Sequence, residues 1–234
     1  MISVIFAFTL CGLLPAFGQF TPGPTFSVGT VPCDQPYHKP EDICRELTKA
    51  FAFTFKGVGW EASKGLITDG ASIPRWGRGL VGEPFAEEFA KAATLHDHYT
   101  RPEHRVRDYL ATHRMFYDAL IETGLDWGKA GVMYAAVVVA GPKWSVLVPG
   151  EDCDLVNPTI CVKNAGQLYT AVGVDAATDE IEAVYTELPM EQLVGEFATA
   201  IAAGNLSPEQ IEQMALTRRI MLGYSLPSLY AVQE

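Results

Sequence analysis

The chain has 234 residues, of which 48% are hydrophobic and 19% charged, and its formal net charge is −11. That length suits one sizeable domain or a domain with an appendage, and that composition belongs to a globular chain rather than a disordered one. The acidic balance argues against a nucleic-acid partner and against anchoring to an anionic membrane surface, because both need a basic face.

Residues 2–14 are almost wholly apolar, Pro15 follows, and Ala16 and Gly18 put small residues at the −3 and −1 positions of a cut before Gln19. This is the pattern of a secretory signal peptide over residues 1–18, too short for a comfortable transmembrane helix. No Lys or Arg lies near Met1, so an uncleaved anchor or a buried N-terminal helix stays open as the other reading. With cleavage, the chain keeps no stable membrane span and is secreted or periplasmic. The cysteines agree with export. Cys11 falls inside the leader, and Cys33, Cys44, Cys153 and Cys161 remain as two sequence-local pairs, which suits disulfides in an oxidising compartment. Cys33–Cys44 with Cys153–Cys161 is the natural pairing of three; four buried free thiols is the other reading.

Residues 19–49 are expected to form an extended arm rich in Pro, Gly and Thr, with a short helix near 42–50. Phe51, Phe53 and Phe55 alternate, which predicts a strand with one aromatic face. Lys56-Gly57 breaks it, and a second extended piece over 60–67 pairs back. The string Thr68-Asp69-Gly70-Ala71-Ser72-Ile73-Pro74 then forms a loop at the end of this hairpin, with Gly70 permitting a left-handed backbone. A helix is predicted over 84–99. Phe85, Phe89, Ala92, Ala93 and His96 share one face of it, which points His96 inward with Asp97 beside it. A second helix over 103–123 carries Val106, Tyr109, His113, Phe116 and Leu120 on a buried seam, and Gly124 stops it. A third, over 127–140, is rich in Ala, Val and Gly and central. Beyond it come a loop over 153–161, two short strands over 168–174 and 181–188, and two helices over 190–203 and 208–222. The fold class is therefore α+β: a helical core domain with three central helices and a small antiparallel sheet, plus a C-terminal helical extension. Its domains are the leader 1–18, the arm 19–49, the core 50–148 and the extension 149–234.

Two histidines on facing helices and two aspartates make the one constellation with chemistry in it. His96, His113 and Asp69 form a two-His-one-carboxylate set suited to Zn²⁺ or another divalent ion with a position open to water. Asp97 then orients an imidazole or serves as general base, and Asp69 and Asp97 are the catalytic candidates. The competing reading is a buried polar network in which Asp69 caps its own turn and the histidines hold loop to helix. Arg75 and Ser72 are candidates for binding an anionic ligand. Arg101, Arg105, Arg107 and Arg114 read as a solvated basic strip balanced by Glu103 and Asp108, and His98 and His104 as exposed.

The TDGASIP string, the run Ala92-Ala93-Thr94-Leu95-His96-Asp97 with Tyr99, the segment from His113 to Phe116, and Met133-Tyr134 with Trp144 resemble the family called domain of unknown function 1353 over about residues 50–145. The resemblance implies a phage, prophage or bacterial context and a fold, but no mechanism. Thr112-His113 stands where that family usually carries Ala-Asp. Two functions follow as expectations: a metal-dependent hydrolase acting on an envelope or cell-wall substrate, or a non-enzymatic structural module with an envelope or virion partner.

Overall fold

The computed structural model describes residues 18–34, 42–73, 75–105, 107–142, 187–204 and 206–221. The expected strands at 168–174 and most of 181–188, together with Cys153 and Cys161 and the expected leader up to residue 17, lie outside the described residues.

The alternating phenylalanines build the centre of a three-stranded antiparallel sheet ordered β1 (Gln19–Phe20), β3 (Phe51–Phe55), β4 (Val58–Ala62). Lys56 and Gly57 both take positive φ between β3 and β4, the left-handed pair that a tight hairpin needs to match strand twist. Phe51 and Phe53 face the core, and Phe20 stacks on Phe53 with ring centroids 4.6 Å apart. Gln19 and Phe20 thus supply an edge strand. The expected helix at 42–50 is replaced by β2 (Arg45–Glu46), which pairs antiparallel with β5 (Ile67–Thr68). Its backbone is drawn into sheet pairing: Phe26 bridges Leu47, Val31 bridges Cys44, and Cys44 is disulfide-bonded to Cys33.

Among the described residues six helices follow: α1 (Arg75–Val81), α2 (Glu87–Thr100), α3 (Tyr109–Glu122), α4 (Trp127–Ala140), α5 (Glu187–Gly204) and α6 (Pro208–Met221). The short α1 is hidden in the sequence by Gly77 and Gly79, which depress helix propensity. α2 begins three residues after Pro84, whose carbonyl is taken by the Ala71 amide at 3.0 Å. α3 begins at Tyr109 rather than near 103, because Asp108 caps it by accepting from the Ala111 amide at 2.8 Å. A 3₁₀ turn, Pro102–His104, fills the gap. The last strand residues expected before 188 lie in α5, and α4 runs from 127 to 140 as its composition predicts.

α2 packs on α3, α3 on α4, and α5 and α6 on α4. Phe197, Ile201 and Ile211 from the last two helices are buried in the same core as Phe89, Leu95, Leu120 and Tyr134. Arg114 ties this layer down through Glu209 at 2.7 Å and Glu212 at 2.7 Å. The basic strip is therefore not a solvated face. Arg101 and Arg105 are buried, as is His98. Arg105 donates to the Thr100 carbonyl at 2.9 Å, and the His98 ring stacks on His104 with centroids 3.9 Å apart. Burial first, then His104 and Arg101, lower the His98 pKa to about 4. No helix among the described residues is long and apolar enough to cross a membrane.

Candidate functional site

β5 delivers Thr68 to the core and ends in the TDGASIP loop. Gly70 turns there at φ 79°. A Cβ on it would sit 2.3 Å from the Pro84 carbonyl oxygen, so only glycine allows the loop to close against the segment before α2. The Ala71 amide completes this latch. The Gly70 amide donates to Thr68 Oγ1 at 3.0 Å. Thr68 Oγ1 in turn donates to Asp97 Oδ2. Ser72, exposed and left-handed at φ 46°, donates its hydroxyl to Asp69 Oδ1 at 2.8 Å. One loop thus holds two carboxyl groups, Asp69 directly through Ser72 and Asp97 across a threonine relay.

Asp97 is part-buried on α2. Burial is the largest cause pushing its pKa well above the ordinary aspartate value, and the charge of Asp69 adds to it. The Thr68 hydroxyl and Arg101 oppose the shift, while Asp34 reinforces it. Arg101 lies one turn further along and is engaged elsewhere: Nη1 and Nη2 grip Asp34 at 2.9 and 3.1 Å, and Nη2 also donates to the Ile67 carbonyl. With its forked donors committed to those oxygens, Arg101 leaves Asp97 with the Thr68 hydroxyl as its hydrogen-bond donor. The carboxyl is thereby biased towards its protonated form.

The two inward histidines meet as their helical positions predict. His96 Nε2 and His113 Nδ1 lie 2.8 Å apart, one donating and the other accepting. His113 is fully buried, with Tyr109 set edge-on against its ring. Phe116 lies 4.8 Å from the His96 ring. Gly141 closes over His113 so tightly that a Cβ there would be 3.2 Å from Nε2. Burial lowers the His96 pKa to about 3, which keeps it neutral at ordinary pH. Two nitrogens bound to one tetrahedral zinc stand about 3.3 Å apart, from metal–nitrogen bonds of 2.0–2.1 Å; here the nitrogens are hydrogen-bonded to each other instead. Among the described residues no three His, Cys, Asp or Glu side chains are grouped so as to hold a metal ion. Of the four sequence candidates, His96 and His113 are in direct contact, and the charge of Asp69 acts on Asp97. Arg75 stands exposed in the first turn of α1.

Thr68, Asp34 and Arg101 belong to the site and do not stand out in the sequence as site residues. Thr68 has a signal, since it starts the TDGASIP string. The Asp34–Arg101 pair spans 67 residues and leaves no local pattern.

The comparisons with known proteins agree with the motif. Residues 46–137 match the family described as a protein of unknown function, DUF1353. An uncharacterised protein, y4iH, of Sinorhizobium fredii (strain NBRC 101917 / NGR234) is 38% identical over 168 residues, covering 68% of this chain and 69% of its own. A second uncharacterised protein of that strain, y4jT, is 35% identical over 102 residues, covering 43% of this chain and 30% of its own. The chain belongs to the DUF1353 family. No solved structure matches it.

Proposed function

We propose that the Asp69–Asp97 pair is an acid–base centre for hydrolysis, acting on a bond of the cell envelope. The observation that carries this is the state of Asp97: a part-buried carboxyl, hydrogen-bonded to Thr68, beside a second carboxyl, and raised well above the usual carboxylate range. A carboxyl raised in this way can share the work of hydrolysis with a second carboxyl beside it. Asp97 gives its proton to the leaving group. Asp69, on the accessible loop and oriented by Ser72, takes a proton from the attacking water. His96 and His113 fasten α2 to α3 behind the centre. The envelope as the place of action is supported by the leader-like N-terminus and by the Cys33–Cys44 disulfide, a bond that persists in oxidising compartments.

The test is incubation of the mature protein with purified bacterial cell walls, with released fragments read by mass spectrometry. Wild-type protein is expected to release fragments. Asp97→Asn and Asp69→Asn should lose at least about a hundredfold in rate, as removal of a general acid or base does, while circular dichroism shows the fold intact. Chelator should leave the wild-type rate unchanged. No release by the wild type, or equal release by the variants, overturns the reading in favour of a structural polar network. Loss with chelator and recovery with Zn²⁺ overturns it in favour of a metal hydrolase.

A further inference from the structure

The strands that deliver Thr68 and Asp69 are short. β2 and β5 share the pairs Arg45↔Thr68 and Glu46↔Ile67, continued by the bonds from the Leu47 amide to the Leu66 carbonyl and from the Gly65 amide to the Leu47 carbonyl, both at 2.8 Å, and a two-stranded ribbon of that size is marginal by itself. Two further ties converge on it. Cys44, the residue before β2, is joined by disulfide to Cys33. Asp34, the residue after Cys33, takes both Nη atoms of Arg101 at 2.9 and 3.1 Å, and Arg101 donates onward to the carbonyl of Ile67.

These links close a ring. It runs from Ile67 across the strand pair to Glu46, back along the chain to Cys44, through the disulfide to Cys33 and Asp34, and through Arg101 to Ile67 again. The ring is anchored at Arg101, which caps the C-terminal end of α2 one turn after Asp97, and ends at the residue before Thr68. Arg101 is 8% exposed. A forked guanidinium–carboxylate pair is geometrically exacting, and a guanidinium buried to that degree is strongly destabilised when its carboxylate is withdrawn.

We propose that Asp34 and Arg101 are positioning residues for the Asp69–Asp97 centre, and that the Cys33–Cys44 disulfide holds Asp34 in place, so that reduction loosens the TDGASIP loop. The reductive step takes two electrons and two protons from a dithiol. The sulfur–sulfur bond breaks, Cys33 and Cys44 become thiols, and the dithiol becomes a disulfide. Without that bond the arm carrying Asp34 keeps its Val31–Cys44 backbone bridge but loses its covalent tie, so the partner of Arg101 is less firmly fixed and the grip on Ile67 slackens. Thr68 and the loop it begins then lose their register against Asp97. The consequence for catalysis rests on the reading of that centre as an acid–base pair. The structural coupling does not, so its test uses no substrate.

The test is amide hydrogen exchange by mass spectrometry on the full mature protein, oxidised and after treatment with dithiothreitol. The reporters are residues 67–72, where the Gly70 amide is held by Thr68 and the Ala71 amide by Pro84. Reduction is expected to speed exchange there by about tenfold or more, as a local opening does, while α3 and α4 stay protected. Asp34→Asn in the oxidised protein should show the same acceleration, and its reduction should add nothing further. Arg101→Lys, which keeps the charge but loses the fork, should behave like Asp34→Asn. Unchanged exchange on reduction or in Asp34→Asn overturns the proposal. So does an acceleration spread equally over α3 and α4, since the ring would then serve the fold generally. Independent, additive effects of reduction and Asp34→Asn also overturn it, because disulfide and ion pair would not be acting on one element.

Discussion

Replacing Gly70 by alanine tests the geometry that holds the site loop. The substitution adds one methyl group to a residue at φ 79°, and the new Cβ falls 2.3 Å from the Pro84 carbonyl oxygen. The left-handed backbone alone costs a non-glycine residue roughly 1–2 kcal/mol. The clash falls on backbone, so the latch must open, and the Ala71–Pro84 hydrogen bond at 3.0 Å goes with it at a further net cost of about 1 kcal/mol. The expected loss is about 2–3 kcal/mol, which in a chain of this size lowers the melting temperature by roughly 4–12 °C. Gly124 supplies the control. It sits at φ 85° just past α3 with nothing within 4 Å of a Cβ, so Gly124→Ala carries the backbone cost alone, about 1–2 kcal/mol. Urea denaturation of the two variants beside the wild type reads the difference. If Gly70→Ala is no more destabilising than Gly124→Ala, the loop does not depend on close approach to Pro84, and the latch is not what aligns Thr68 with Asp97.

Asp97→Asn should make stability less sensitive to pH. Because the folded chain holds the Asp97 proton more tightly than the unfolded chain does, this group's contribution is full below the ordinary aspartate value of 3.8 and is lost as pH rises through the raised folded value. In that window the slope is up to about 1.4 kcal/mol per pH unit. The variant should match the wild type in acid and become the more stable of the two as pH rises, then hold a constant margin; thermal melts from acid to neutral pH showing the reverse order would refute the assignment. His113→Leu should cost about 1–3 kcal/mol by leaving the His96 nitrogen buried without its partner. The double variant His96→Phe/His113→Leu should recover much of that loss, and a double-mutant cycle in urea that shows simple additivity would contradict the direct His–His bond.

Much of the architecture is legible because it is written in local periodicity. Phe51, Phe53 and Phe55 specify a strand whatever surrounds them, and the buried seam of α3 places His113 inward without reference to α2. Asp126 caps α4 by accepting from the amides of Gly128 and Lys129. The meeting of His96 with His113 follows once two such helices pack side by side. Residues 42–50 mislead because Arg45 and Glu46 carry no strand pattern; their state is set by pairing with Ile67 and Thr68, a contact that local propensity cannot encode. The start of α3 is displaced from its expected place because the seam begins before the cap, and Asp108 decides between them.

The sequence by itself determined the TDGASIP loop, the inward histidines and the adjacency of His96 to Asp97, because each depends on backbone conformation and side-chain spacing within a few residues. Tertiary structure alone decided how those groups combine. It paired the histidines with each other, and it brought Thr68 to Asp97. It also buried Arg101 against Asp34, a basic residue that looks solvated in sequence. Hydrogen bonding at about 3 Å and desolvation depend on which surfaces meet, and those surfaces come from strands and helices tens of residues apart.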